Sequence, residues 1–170
     1  MLKDLNATFL VLIPKENGTE DPSKLRPIAL CNVIYKIISK VIANRLRPLL
    51  PFLISPKQVG FVEGRHILDG IILVHETIHS VKNRKFQGML LKLDLSKDYD
   101  KLNWNFLVGV LRAFGFFDHW TELVMKLVSS TLFYILVNAT PSYPFEVSRR
   151  IRQGDPLSPF LFIIAAEGLG

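Results

Sequence analysis

Residues 89–104 read MLLKLDLSKDYDKLNW. Leu91, Leu93 and Leu95 alternate with Lys92, Asp94 and Ser96, which is the two-residue period of a half-buried strand. The alternation predicts a strand over Gly88–Leu95 with the leucines on helices and Asp94 facing a cleft beside Lys92 and Ser96. Tyr99 and Asp100 follow where the chain leaves that strand. A carboxylate on a strand is one way to fix a divalent cation for phosphoryl transfer, and a strand-end Asp also caps a following helix.

Outward from this stretch the periods change. Thr8–Ile13 is a short apolar run suited to a buried strand, and Glu16–Pro27 is polar and turn-rich, so it reads as a loop. Asn32 can cap a helix from Val33 to about Leu50, stopped by Pro51. Its Ile34, Ile37, Ile38, Val41, Ile42, Leu46 and Leu49 follow the three- and four-residue spacing of one buried face, with Lys36, Lys40 and Arg47 elsewhere. Further helices are expected over His66–Lys82, Trp104–Phe114 and Asp118–Ser129. Leu132–Val137 and Phe145–Ile151 read as a hairpin, and Pro156 as the first residue of a last helix reaching Glu167. Helices mixed with a few strands, not alternating one for one, predict an α+β fold.

Composition narrows the function classes. The 170 residues are 49% hydrophobic and 21% charged, which excludes a disordered tail. The single cysteine, Cys31, has no internal disulfide partner. The longest uncharged stretches, Thr131–Phe145 and Pro156–Ala166, are too short or too broken for the ~20 apolar residues of a membrane span. Met1–Lys15 carries Asp4 and only a short apolar run, so it does not read as a secretory signal. The net charge of +6 sits wholly in residues 1–88, with 13 Lys and Arg against 7 Asp and Glu; residues 89–170 hold 8 of each. A one-sided basic excess suits a polyanion partner or a solvated basic face.

Three other segments could carry chemistry. Arg149–Pro159 joins arginines, a glycine turn and a proline-started helix, which favours an anion at the helix N-terminus; it also reads as a basic turn capped by Asp155. Gln58–Arg65 is a glycine-punctuated loop that either presents Arg65 to phosphate or connects two helices. His75-Glu76-Thr77-Ile78-His79 matches the zinc-protease pattern H-E-x-x-H, but no third ligand follows at a zincin spacing.

Together these stretches resemble a family. FLVLIPK (9–15), LRPIALCNVIYKIISKVIANRL (25–46), QVGFVEGR (58–65), MLLKLDLSKDYDKLNW (89–104) and IRQGDPLSPFLF (151–162) are similar, in order and spacing, to the reverse transcriptase domain of non-LTR (LINE-type) retrotransposons, especially those of plants. The resemblance implies a right-hand polymerase, with fingers over about 1–88 and the start of the palm over about 89–170. It implies RNA-directed DNA synthesis from dNTPs with two Mg²⁺ ions, an RNA template and a DNA primer as partners, and an intracellular setting. Asp94 resembles the first catalytic, metal-binding carboxylate and Tyr99 the aromatic gate against a ribose 2′-hydroxyl. Gln153 and Gly154 resemble the element beneath the nucleotide, Arg65 a fingers-loop contact to it, and Arg26, Lys36 and Lys40 template-side residues. The resemblance also implies that this stretch is cut before the aromatic-Ala-Asp-Asp turn, the rest of the palm and the thumb, none of which is in the 170 residues. Asp98 stands where the family has alanine, and Arg150 where it has glycine. The expectation is therefore a polymerase fragment inactive alone, or a non-catalytic nucleic-acid-binding relic. Apolar surface should be left bare on the last helix and the Asp94 strand.

Overall fold

The computed structural model describes residues 6–19, 21–85, 87–92 and 97–169. Its centre is a four-stranded sheet built on β1, Ala7–Pro14, which contains the apolar run expected to form a strand. β2, Leu25–Cys31, pairs with β1 antiparallel, with Phe9 opposite Leu30. β3, Leu132–Val137, lies parallel on the other side of β1, and β4, Thr140–Pro141, continues the sheet antiparallel to β3. Thr8 and Leu10, with their partners Cys31, Ala29 and Phe133, form the buried face. Phe9, Ile13 and Leu30 stand half-exposed on the other face.

β2 corrects the loop expected over Glu16–Pro27, whose last three residues belong to the strand. Pro27 disguises it, because proline cannot donate a ladder bond. The Ala29 N–H points out of the β1–β2 ladder, to the Gln153 carbonyl at 3.1 Å. Residues two apart in a strand point alike, so the Pro27 nitrogen also faces the sheet edge and costs no ladder bond.

Helix α1, Val33–Leu46, starts as expected, with the Asn32 side chain accepting from the Ile34 N–H at 2.9 Å. It ends earlier than expected. Pro48 cannot complete an α-helical bond and clashes with the preceding turn, so Arg47–Leu49 tightens into a 3-10 turn before the short helix α2, Leu50–Leu53. The buried face of α1 is Tyr35, Ser39, Ile42, Ala43 and Leu46. The expected apolar stripe is largely bare: Ile34, Ile37 and Val41 are 50%, 60% and 47% exposed. Hydrogen bonds to a buried carboxylate, described below, turn the helix onto its polar anchors.

α3 spans Ile67–Asn83, α4 Asp98–Lys101, α5 Trp104–Ala113, α6 Asp118–Ser129 and α7 Ser158–Glu167. Leu107, Leu111, Val124, Leu157, Leu161 and Ile164 are fully buried where α5, α6 and α7 meet. α7 starts at Ser158, with Pro159 rather than Pro156 in its first turn. Its apolar residues are buried, not bare, because α5 packs along it.

Two expected strands differ. Residues 87–92 belong to no element, and Leu91 is 72% exposed; Leu93–Ser96 lie outside the described residues. Alternation alone does not make a strand, and 87–92 have no ladder partner among the described residues. The return arm of the hairpin is not Phe145–Ile151. The chain turns at Asn138 and Ala139, both with positive φ (49° and 64°), straight into β4. Such a pair of left-handed residues gives the tight turn whose twist matches a hairpin. Phe145 and Arg149 meet Phe133 and Asn103 as isolated bridges, with the Phe145 ring stacked on Phe133.

Candidate functional site

The segment 149–158 organises the site, although of its three arginines only Arg149 faces solvent. Arg152 is 3% exposed. One of its terminal nitrogens donates to Asn6 Oδ1 at 2.6 Å and Thr8 Oγ1 at 3.3 Å, the other to the Leu127 carbonyl at 2.8 Å. Its guanidinium lies 3.6 Å from the centre of the Tyr35 ring. Asp155 is equally buried and accepts from Tyr35 Oη at 3.3 Å, from Ser158 Oγ at 3.1 Å and from Ser39 Oγ. The Leu157 N–H is taken by Ser39 Oγ at 3.2 Å. The start of α7 is thus closed by the protein's own groups, and the expected anion site there is filled from within. Burial, first of all, pushes the Tyr35 phenol well above its ordinary value, with Asp155 adding to the shift.

Arg150 also turns inward. Its φ of 115° belongs to glycine's territory, in keeping with the glycine usual in the resembled family. Its Nε lies 3.1 Å from Asp100 Oδ1, an ion pair not aligned as a hydrogen bond, and its guanidinium sits over the Phe133 ring. Burial lowers its basicity, opposed by Asp100.

Between these anchors, Gln153 and Gly154 face outward. The Gln153 carbonyl is fixed by the Ala29 N–H. Gly154 has φ 94°, and a Cβ there would come within 3.4 Å of the Ala29 carbonyl, so the position requires glycine. Opposite them stands Tyr99, its ring stacked on Phe162 with centres 5.2 Å apart. The Tyr99 backbone is clipped to the same segment: its carbonyl accepts from the Ile151 N–H at 2.8 Å, and the Leu102 carbonyl accepts from the Arg150 N–H at 3.0 Å. Trp104 Nε1–H closes the clip on the Arg150 carbonyl at 2.8 Å.

The result is a two-part cleft. One cavity, about 660 Å³, is lined by Arg26, Lys40, Tyr99, Gln153, Gly154, Asp155 and two prolines. The second, about 290 Å³, shares Arg26, Tyr99 and Gln153 and adds Lys15, Lys97, Asp98 and Asp100 among others. Five of the residues singled out in the sequence therefore meet in one place, although Arg26 and Gly154 are far apart along the chain. Lys15, Lys97 and Asp100 had no assigned part in it, and Asp98 was marked only as a departure from the resembled family. Only their tertiary position shows it. An aromatic face, a side-chain amide and several cations suit a ligand with a planar or sugar part and a polyanionic part.

The other candidates lie elsewhere. Arg65 spends its donors on the carbonyls of Ile54, Ser55 and Gln58 at 2.6–3.1 Å, which clasps its own loop. Lys36 is exposed one turn from Lys40 and lines neither cavity. Asp94 lies outside the described residues. His75 and His79 are exposed on α3, His79 beside the Asn83 amide, and no group of three or more His, Cys, Asp or Glu is placed to hold a metal among the described residues. No helix among them is long and apolar enough to cross a membrane.

Comparison with known proteins places the chain in a family. A family model described as reverse transcriptase (RNA-dependent DNA polymerase) matches residues 13–170. The chain is 30% identical over 158 residues to a Xenopus laevis protein called transposon TX1 uncharacterized 149 kDa protein, covering 93% of this chain and 12% of that protein. It is 26% identical over 152 residues to a Pol polyprotein from the type-1 retrotransposable element R2 of Popillia japonica (89% of this chain, 21% of that protein). It is 28% identical over 160 residues to one from the type-2 element R2DM of Drosophila melanogaster (94% and 15%). The chain thus spans between about an eighth and a fifth of these relatives. Its mixed α and β elements are those of a polymerase fingers-and-palm fold. With the model matching nearly the whole chain, the protein belongs to the reverse transcriptase family.

Proposed function

We propose that the chain is the fingers and early palm of an RNA-directed DNA polymerase from a non-LTR retrotransposon, and that the two-part cleft receives the incoming dNTP against an RNA template and DNA primer. The carrying observation is the convergence of Arg26, Lys40, Tyr99, Gln153 and Gly154 on one cavity. Tyr99 would meet the sugar, Gln153 and the Gly154 backbone would lie beneath the base, and Arg26 and Lys40 would meet phosphates of nucleotide or template. Lys36, on the same helix, would reach further along the template backbone. Arg65 acts through the loop it clasps. Asp94 is the residue for Mg²⁺, which when bound supplies Lewis-acid activation of the primer hydroxyl and charge neutralisation at the triphosphate. The 170 residues hold no aromatic-Ala-Asp-Asp turn, so this polypeptide by itself is expected to bind without extending a primer.

The test is binding and extension on one RNA–DNA primer–template. Fluorescence anisotropy across a salt series should give an affinity that falls with salt and weakens about uniformly across sequences in Arg26→Gln and Lys40→Gln. Salt-independent binding would reject the reading. Robust Mg²⁺-dependent extension by the purified chain would reject the claim of incompleteness.

A further inference from the structure

The cations of the smaller cavity are opposed from within. Lys15, Arg26 and Lys97 line it together with Asp98 and Asp100. The two carboxylates are not equivalent. Asp100 has its counter-ion in Arg150, at 3.1 Å. Asp98 Oδ1 is buried and has no hydrogen-bond partner among the described residues. Its charge is felt at the cleft's aromatic wall, since burial and then Asp98 raise the Tyr99 phenol above its ordinary value.

A buried carboxylate oxygen without a donor is costly, and a polyanion entering beside it meets like charge in a low-dielectric wall. We propose that Asp98 is an affinity-determining residue that weakens this cleft for polyphosphate ligands, acting as a resident anion among Lys15, Arg26 and Lys97. The inference rests on the cleft being the nucleotide site, and it adds that the site is held below the affinity its cations would give. Replacing Asp98 by its neutral isostere leaves three cations against one already paired carboxylate. One unit charge across several ångströms of protein edge is worth roughly tenfold in affinity.

The experiment is calorimetric titration of the full chain with inorganic tripolyphosphate at 50 mM salt, for wild type, Asp98→Asn, Asp98→Ala and Arg26→Gln. Asp98→Asn should bind about tenfold more tightly than wild type, and Asp98→Ala similarly, with the gap closing as salt is raised. Thermal melts identify any variant that does not fold; Asp98→Ala, which removes the orphaned oxygen altogether, then decides the matter. If Arg26→Gln weakens binding but neither Asp98 variant strengthens it, the cleft stands and the role of Asp98 falls. If Arg26→Gln changes nothing, the cleft itself is misassigned and the inference falls with it.

Discussion

Two helices that carry runs of apolar residues have opposite fates. α7 is apolar on nearly every side, and Phe160, Leu161, Ile163, Ile164 and Ala165 are buried. α3 carries Ile67, Leu68, Ile71, Ile72, Leu73 and Val74 in its first half, yet none of its 17 residues is buried. α1 combines both conditions, with one face on the core and Ile34, Ile37 and Val41 bare. The hydrophobic effect rewards area removed from water, so an apolar helix gains nothing until a partner surface covers it. α7 has that partner in α5, and its entry is fixed by Asp155 and Ser39. α3 touches its surroundings lightly, for example where Val59 meets the Gly70 position.

Substitutions can break or sharpen this contrast. The largest loss is expected for Arg152→Ala, about 3–5 kcal/mol, because the Asn6 oxygen and the Leu127 carbonyl lose a charged donor and a void opens against Tyr35. Urea unfolding measures it, and a loss under 1 kcal/mol would show that the network does not hold the core. Leu161→Ala, at a fully buried site, should cost about 2–4 kcal/mol on the same assay.

Alkaline pH provides a test without mutation. Burial raises Tyr35 and Tyr99 above 10.0 and Cys31 above 9.0. A group with a raised folded pKa stabilises fully below its unfolded value and loses that contribution as pH climbs toward the folded one. Stability should therefore hold to about pH 9 and then fall, by about 1.4 kcal/mol per pH unit for each phenol that stays neutral above pH 10. Melting curves from pH 8 to 11 would show it, and a flat profile would mean that these phenols ionise freely in the fold. The smallest effect is expected for Leu73→Ala on α3, within about 0.5 kcal/mol, since Leu73 is 63% exposed. A cost near that of Leu161→Ala would erase the contrast between the two helices.

The same contrast marks what was legible in the sequence. α5 and the start of α1 were readable because their caps and periods are local, with Asn103 and Asn32 capping from side chains two residues before the amides they receive, and α6 from its apolar period alone. β2 was hidden by Pro27, harmless only because its nitrogen faces the sheet edge. The burial of α1 was misread in part: Ile42 and Leu46 face the interior as expected, but Tyr35 and Ser39 join them in place of Ile34 and Ile37, and their partner Asp155 is more than a hundred residues away. At the site, Tyr99, Gln153, Gly154, Arg26 and Lys40 came from resemblance and were then found together. Arg152 looked like a phosphate ligand by composition, and only three-dimensional packing reveals it as an internal tie. Lys15 and Lys97 carry no local signal at all, and Asp98 stood out only as a departure from the resembled family.

The position of β1 has a kinetic consequence. It is made well before its parallel neighbour β3, which begins at Leu132, and the Arg152 bond to Asn6 spans 146 positions. During synthesis, β1 and β2 can close only a two-stranded hairpin, a marginal structure with apolar side chains on both faces. Contacts this distant in the chain are slow to form, and the waiting edge of β1 is open to wrong partners. A chain stopped just before Arg152 would therefore lose more than its last helix: β1 would keep its ladder to β3 and the Asn6 bonds to Leu127 and Ser130, but not the buried guanidinium that joins Asn6 and Thr8 to the Leu127 carbonyl.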